Sequence, residues 1–267
     1  MSRLKPEEIA DIGSNIAAYD AKFASLTGET MLNAAKIDFP FSADLKGVTA
    51  AVIPVTSGLG IIAGFAESVR AILNHVGCNA FVAEKSDVAG LGIAHRKGAD
   101  VVFMADDREY AAISLNSRAA SYNSDVTGIA FARALNLAAG GVCGGEVLVL
   151  GLGPVGLSAA RHLLSLGARV NVFDNNPSVL SAAIAAEPKL RAFPDWRERG
   201  LMYILDATPK PDILTERDIA KGAVLSLPGI PLGANARVIE KCGAAIANPL
   251  ELGTIAMLAC VLYLTER

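Results

Sequence analysis

A short glycine-rich segment in the middle of the chain constrains the fold more than any other feature. Residues 146–150 read Glu-Val-Leu-Val-Leu, as in a buried parallel strand, and three glycines follow at the spacing G-x-G-x-x-G. Residues 157–166 then have the composition of a helix. A strand, glycine loop and helix in this order are typical of a dinucleotide-binding βαβ unit, in which a pyrophosphate binds at the helix N-terminus.

Each glycine of this loop has a distinct expected role. Gly151 permits the tight turn, Gly153 lets the backbone approach the pyrophosphate, and Gly156 lets the helix pack closely on the strand. The whole loop is therefore predicted to bind the cofactor through Gly151, Leu152, Gly153, Pro154, Val155 and Gly156.

The residues after the next predicted strand favour NAD over NADP. Asp174 follows that strand, at about the position where such proteins bind the hydroxyls of the adenosine ribose. Asn175 comes next, and no arginine is present there to bind a 2′-phosphate. The alternative is a Rossmann-type fold that binds another nucleotide or none.

The first half of the chain predicts a second Rossmann-like unit. Strands predicted at 48–54, 80–83 and 100–104 alternate with helices predicted at 61–76 and 88–97, which implies a parallel sheet with right-handed crossovers. The expected fold class is α/β with two Rossmann-like domains, the C-terminal one binding NAD. We place an α/β substrate domain at 1–125 and the NAD-binding domain, with its connecting and terminal helices, at 126–267.

A second glycine loop, in the first half, suits a substrate better than a dinucleotide. Val55, Thr56 and Ser57 separate the strand from Gly58 and Gly60, so the turn is longer and the glycine spacing differs from the fingerprint. Hydroxyls and free N–H groups at a helix N-terminus suit a small anion such as a substrate carboxylate. An ordinary capped helix is the alternative.

Acidic residues follow the third predicted strand of this unit. Because ligands gather at the carboxyl ends of parallel strands, Asp106 or Asp107 is expected to hold a substrate ammonium group, while helix capping alone is the alternative. In the second unit the same topological argument makes two further strand ends candidate borders of the nicotinamide and its ribose. These are Thr208 with Pro209, and Leu227 with Pro228.

Composition excludes several classes of function. The net charge is −3 and no basic stripe pairs with aromatic residues, so we expect no nucleic-acid partner. The N-terminus has no apolar signal region, and the apolar stretch 255–264 is too short to span a bilayer, so we expect no membrane partner. The four cysteines lack C-x-x-C spacing, which predicts buried thiols in a reducing cytoplasm, and the three histidines are too scattered to indicate a metal site.

Several segments together resemble the pyrrolysine synthase family, and the resemblance covers almost the whole chain. Its most specific parts are the Val-Thr-Ser-Gly loop at 55–58 and Met-Ala-Asp-Asp at 104–107. The other matching segments are Leu-Lys-Pro-Glu-Glu-Ile at 4–9, the glycine loop at 151–156, Ala-Thr-Pro at 207–209, Leu-Pro-Gly-Ile-Pro at 227–231 and Pro-Leu-Glu-Leu-Gly-Thr-Ile-Ala-Met-Leu at 249–258.

The resemblance implies a homodimer that acts on an amino-acid isopeptide. NAD would oxidise the terminal amine of 3-methylornithyl-lysine to an imine, which loses ammonia and cyclises to the pyrroline ring of pyrrolysine. The residues implied to border the substrate are Leu4, Val55, Thr56, Ser57, Ile62 and Asp106. Those implied to border NAD are 151–155, Asp174, Thr208 and Pro228.

Two positions depart from the family pattern. Leu59 stands where we expect an asparagine, and Asn248 stands where we expect a glutamate, with Glu251 near enough in sequence to compensate. Both positions are expected to touch the polar substrate. A paralogue acting on another amine, a two-domain alcohol dehydrogenase and a non-catalytic NAD sensor are therefore the alternative functions.

Overall fold

The computed structural model describes residues 4–248 and 250–267, and it divides the chain into two units. The first unit comprises Met1–Ala21, Met31–Val126 and Leu250–Arg267, and the second comprises Lys22–Thr30 and Thr127–Pro249. Residues 1–3 and Pro249, which begins the Pro-Leu-Glu-Leu-Gly segment, lie outside the described residues.

Helices and strands alternate along both units. The helices are α1 (Pro6–Ile9), α2 (Ile12–Thr27), α3 (Met31–Asp38), α4 (Phe65–His75), α5 (Asp87–Arg96), α6 (Asn123–Ala138), α7 (Pro154–Ser165), α8 (Pro177–Ala186), α9 (Ala236–Lys241) and α10 (Glu251–Thr265). The strands are β1 (Thr49–Ile53), β2 (Asn79–Val82), β3 (Val101–Ala105), β4 (Tyr110–Ser114), β5 (Ala120–Tyr122), β6 (Glu146–Leu150), β7 (Arg169–Phe173), β8 (Arg191–Ala192), β9 (Leu201–Asp206), β10 (Ile219–Ser226) and β11 (Ala244–Ile246).

The second unit contains a six-stranded sheet in the order β11-β10-β9-β6-β7-β8, and every strand pair in it is parallel. Counted from β6, this is the order 3-2-1-4-5-6 of the doubly wound dinucleotide-binding fold. The last four residues of β6 are buried, because helices cover both faces of a parallel sheet of this kind. The predicted Rossmann class of this unit is confirmed.

The first unit contains a five-stranded sheet in the order β2-β1-β3-β4-β5. β2, β1 and β3 are parallel, as predicted, but β4 and β5 are antiparallel additions. The sequence prediction placed a polar junction at 116–125 and missed both strands. Its predicted helix at 61–76 begins only at Phe65, because Gly60 and Gly64 adopt left-handed backbone angles (φ +81° and +82°) that interrupt a helix.

The terminal helix belongs to a different unit from the one in which the sequence prediction placed it. α10 belongs to the first unit, where it packs on α3, α4, β4 and β5, and residues 251–262 are all buried. A helix that is apolar on every side is buried against neighbouring elements rather than presented to solvent. No helix in the described part of the chain is both long and apolar enough to cross a membrane.

The four cysteines are free thiols. Cys78 and Cys260 are buried, as predicted, but Cys143 is exposed and Cys242 is only partly buried. The prediction of four buried thiols is therefore wrong for Cys143, which lies in the turn between α6 and β6.

Candidate functional site

The glycine loop of the second unit lies where the strand order reverses. β6 and β9 are adjacent parallel strands, and their carboxyl ends lead into the glycine loop and into Ala207-Thr208, respectively. Open α/β sheets bind ligands in the crevice at this reversal, because the connections from the two strands leave on opposite sides.

The glycines have the geometry that a bound pyrophosphate requires. Gly151 has φ +79°, which a tight turn with a left-handed residue needs, and a Cβ atom on Gly156 would lie only 1.9 Å from the carbonyl oxygen of Gly151. A Cβ on Gly153 would meet no atom within 4 Å, so the space in front of the loop is open. The predicted turn and close helix packing are confirmed, and the loop fits a dinucleotide.

Asp174 is held by backbone donors at the end of β7. Its Oδ2 accepts a hydrogen bond from the N–H of Leu152 (2.8 Å) and its Oδ1 accepts one from the N–H of Asn176 (2.8 Å). The carboxylate therefore lies against the glycine loop, in the position where an acid binds ribose hydroxyls. Leu152 is only 4% exposed, whereas Asn175 is exposed.

A buried carboxyl that the sequence prediction overlooked supports Thr208. Asp206 ends β9 and is fully buried, and its Oδ1 accepts hydrogen bonds from the N–H (3.0 Å) and the Oγ1 hydroxyl (2.7 Å) of Thr208. Burial raises the pKa of Asp206 to about 6, and the hydrogen bonds from Thr208 only partly oppose this rise.

The remaining predicted cofactor residues of this unit differ in solvent exposure. Pro209 is exposed and Pro228 is half-buried, but the Leu227 side chain lies in the hydrophobic core with 2% of its surface exposed. The N–H of Leu227 donates to the carbonyl oxygen of Ile246, which extends the sheet by one residue. Leu227 is thus part of the core, and the cofactor contact at this position stays a prediction.

In the first unit, the loop after β1 is held by an aspartate that the sequence prediction also missed. Asp87 begins α5, and its carboxylate accepts hydrogen bonds from the N–H (2.9 Å) and the Oγ1 hydroxyl (2.6 Å) of Thr56. Asp87 has φ +54°, an unfavourable backbone angle for a residue other than glycine. The hydrogen bonds from Thr56 lower the pKa of Asp87.

Asp107 holds the other end of this loop. Its Oδ2 accepts a hydrogen bond from the N–H of Leu59 (2.6 Å), and a Cβ atom on Gly58 would lie 2.0 Å from that same oxygen. A residue larger than glycine at position 58 would therefore displace the carboxylate.

Asp106 closes the turn between β3 and β4. Its Oδ1 accepts hydrogen bonds from the N–H groups of Glu109 and Arg108, both at 2.8 Å, and these bonds lower its pKa. The alternative of a helix cap is wrong, because a strand follows this turn. Asp106 is exposed and carries a negative charge at neutral pH.

These contacts change the electrostatic interpretation of the loop. The N–H and hydroxyl of Thr56 and the N–H of Leu59 donate to carboxylates, so they are not the free anion-binding donors that the sequence suggested. The hydroxyl-bearing side chain of Ser57 remains exposed. With Asp87, Asp106 and Asp107 gathered on this loop and the turn after β3, the site favours a cationic group.

The other predicted substrate residues are spread over both units. Leu4, Val55 and Ile62 belong to the first unit and are half-buried, while Asn248 is half-buried and belongs to the second. Leu59 is 77% exposed. Glu251, the residue suggested to compensate for Asn248, is fully buried at the start of α10, and burial raises its pKa.

The described residues include no group of three or more histidine, cysteine, aspartate or glutamate side chains that could hold a metal ion.

Family models match both halves of the chain. Residues 8–121 match the model described as "Pyrrolysine biosynthesis protein PylD, N-terminal domain", and residues 128–199 match "Alanine dehydrogenase/PNT, C-terminal domain". The second match covers the glycine loop and Asp174.

Solved structures with a similar fold include two dehydrogenases of low sequence identity. The bifunctional FolD methylenetetrahydrofolate dehydrogenase/cyclohydrolase of Campylobacter jejuni has a TM-score of 0.55 at 14% identity, covering 92% of this chain and 96% of that one. The shikimate dehydrogenase of Aquifex aeolicus has a TM-score of 0.54 at 16% identity, covering 82% and 92%. At these identities they support the fold alone.

Full-length relatives show the family. The pyrrolysine synthase of Methanosarcina acetivorans is 33% identical over 98% of this chain and 100% of its own length, and that of Methanosarcina barkeri is 32% identical over 98% of each. Together with the dehydrogenase-type domain in the second unit, these matches make the chain an oxidoreductase. The chain belongs to the pyrrolysine synthase family.

Proposed function

We propose that the protein oxidises the terminal amine of 3-methylornithyl-lysine to an imine with NAD, after which ammonia is lost and the product cyclises to pyrrolysine. The observation that carries this proposal is the similarity to two pyrrolysine synthases along 98% of the chain. The order of strands in the second unit and its open glycine loop support the use of a nicotinamide cofactor.

The second unit would hold NAD through its glycine loop and Asp174. The first amides of α7 would meet the pyrophosphate, since the opening N–H groups of a helix lack partners within the helix. Asp174 would bind the adenosine ribose, and Thr208, Pro209 and Pro228 would border the nicotinamide half. When bound, the nicotinamide ring accepts a hydride.

The first unit would hold the isopeptide through opposite charge. The substrate carries ammonium groups, and the lowered pKa values of Asp87 and Asp106 keep these two carboxylates ionised beside the loop. Among these, Asp106 is exposed and projects from the end of β3, so we assign it to the terminal ammonium. Ser57 is assigned to a polar group of the substrate, and Val55 and Ile62 to its apolar carbons.

The lowered pKa of Asp106 defines what this residue does. An amine must be uncharged before its lone pair can drive loss of hydride from the adjacent carbon. Because backbone hydrogen bonds lower the pKa of Asp106, its carboxylate is a weak base, suited to orient the ammonium rather than to retain its proton. We assign the proton to solvent.

The ring then closes by chemistry within the substrate. The α-amine attacks the imine carbon, the former terminal nitrogen leaves as ammonia, and the ring nitrogen forms the C=N bond of the pyrroline. The protein's part is to hold the isopeptide so that the α-amine reaches this carbon and water does not.

The test is NADH formation by the purified protein with 3-methylornithyl-lysine, compared with ornithyl-lysine and with NADP in place of NAD. The proposal expects NADH together with a pyrroline product detected by mass spectrometry. NADH formed only with another amine or an alcohol would assign the protein to a different substrate, and dinucleotide binding without turnover would make it a sensor.

Leu59 is exposed, and it stands where the family pattern has an asparagine, so this position can test which substrate the protein prefers. An apolar side chain at this position offers no hydrogen bond to a polar substrate, so Leu59→Asn is expected to increase or preserve turnover of the methylated isopeptide. A loss of activity in Leu59→Asn would indicate a substrate with an apolar group at this position.

Replacing Asp106 by Asn is expected to raise KM for the amine about tenfold or more, since charge-assisted hydrogen bonds contribute roughly 1.5–3 kcal/mol.

A further inference from the structure

The carboxyl of Asp206 is buried in a way that a purely structural group rarely is. Asp206 is 0% exposed, and among the described residues its Oδ2 has no hydrogen-bond partner. Burying a carboxyl group without full compensation is unfavourable, so a buried acid that persists in a fold calls for a role beyond packing.

A glycine-containing turn encloses this carboxyl. A Cβ atom on Gly233 would lie 1.7 Å from Oδ2 of Asp206, and one on Gly229 would lie 2.1 Å from the carbonyl oxygen of Thr208. The N–H of Gly229 also donates to the carbonyl oxygen of Asp206 (3.1 Å). The turn after β10 therefore fixes both Asp206 and Thr208.

Thr208 lies directly beside the glycine loop. A Cβ atom on Gly151 would be 3.0 Å from Cγ2 of Thr208. The Thr208 hydroxyl donates its proton to Asp206 at 2.7 Å, so its oxygen is left to act as an acceptor for another group. Without Asp206 this hydroxyl would rotate freely and present its proton or its lone pairs with similar ease.

We propose that Asp206 is a positioning residue that fixes the Thr208 hydroxyl as a hydrogen-bond acceptor for an N–H or O–H group of the nicotinamide half of the dinucleotide. This inference rests on the proposed binding of NAD at the glycine loop. It assigns to the buried acid an effect on cofactor affinity that acts wholly through Thr208.

A double-mutant cycle tests the inference. Dissociation constants for NADH are measured by fluorescence titration with the parent protein, Thr208→Val, Asp206→Ala and the double variant. Each single change is expected to weaken binding about five- to tenfold, as for loss of one hydrogen bond, and the double variant is expected to be no weaker than the weaker single by more than about twofold. The inference would be overturned if the double variant lost the product of the two single fold-losses in NADH affinity, or if Asp206→Ala bound NADH as tightly as the parent.

Two further measurements separate positioning from folding. ADP lacks the nicotinamide half, so its affinity is expected to be the same, within about twofold, for the parent and Thr208→Val, whereas equal losses for ADP and NADH would overturn the assigned contact. Asp206→Asn keeps an acceptor oxygen and is expected to restore most of the NADH affinity that Asp206→Ala loses; a variant as weak as Asp206→Ala would contradict the role.

The two proposals fail differently. If the parent protein binds neither NADH nor ADP, the proposed cofactor is wrong and the role of Asp206 falls with it. If the parent binds NADH and the cycle shows independent losses, only the role of Asp206 is wrong.

Discussion

At the residue scale, the candidate sites depend on aspartates, and Asp87 and Asp107 lie far in sequence from the groups they hold. The spacing of Gly151, Gly153 and Gly156 is local, so the sequence alone predicted their geometry. Asp87 contacts Thr56 across 31 positions of the chain, and at a helix start it looks like an ordinary cap. Asp206 looks like the polar end of a strand, and only its burial reveals it.

Asp87 is expected to affect binding of the substrate and not binding of the cofactor. Asp87→Asn tolerates the left-handed backbone angle but weakens both hydrogen bonds from Thr56, so KM for the isopeptide should rise about five- to tenfold with little change in NADH affinity. Steady-state kinetics and NADH titration measure the two effects. Glu84→Gln is the matched control, because Glu84 is an exposed acid that pairs with Lys97 instead. Equal effects in both variants would contradict the role of Asp87.

The raised pKa of Asp206 predicts that the free energy of unfolding depends on pH. Its pKa is about 6 in the folded protein against an ordinary 3.8, so the folded state binds the proton more tightly than the unfolded state does. This stabilisation is present below about pH 4 and is lost as pH rises through about 6, to a total of roughly 3 kcal/mol.

Asp206→Asn does not titrate, so its free energy of unfolding relative to the parent should increase between pH 4 and pH 7. Urea denaturation at several pH values measures the difference. Asp106→Asn is a control of opposite sign, since the pKa of Asp106 is lowered and its stabilisation is lost as pH falls. A difference for Asp206→Asn that is constant with pH would show that the acid does not titrate in this range.

At the scale of elements, the sequence predicted the parallel strands β1, β2, β3 and β6 but not the antiparallel strands β4 and β5. β4 and β5 were missed because Asp106 to Glu109 resembled the start of a helix and 116–125 resembled a linker. The sequence predicted part of α10 but not the elements on which it packs. A helix that is apolar on every side has no single apolar face, so its sequence does not indicate which side contacts the core.

The burial of α10 predicts a large contribution to the stability of the first unit. Ile255 is 0% exposed, so Ile255→Ala should lower the free energy of unfolding by about 2–5 kcal/mol through lost burial and the cavity it leaves. Chemical denaturation measures this change. Leu264→Ala, at a position 41% exposed on the same helix, should cost far less. A comparable loss at both positions would contradict the packing assigned to α10.

At the scale of the whole molecule, the sequence predicted the Rossmann-type sheet of the second unit and the parallel strands of the first. It did not predict that the chain returns to the first unit at Leu250, nor that residues 22–30 belong to the second. Such exchanges depend on long-range packing that no local pattern reveals. The family is established by similarity along the full length, whereas the reaction remains the proposal made above from the groups in each unit.

The most direct test of this reaction follows the labelled atoms of the substrate. The isopeptide is prepared with deuterium on the carbon that bears the terminal amine and heavy nitrogen in that amine, and it is incubated with the protein and NAD. Mass spectrometry should find deuterium transferred to NADH, heavy ammonia released, and a pyrroline product that retains the remaining deuterium but no heavy nitrogen. Unlabelled NADH, or a product that keeps the heavy nitrogen, would contradict the proposed oxidation and ring closure.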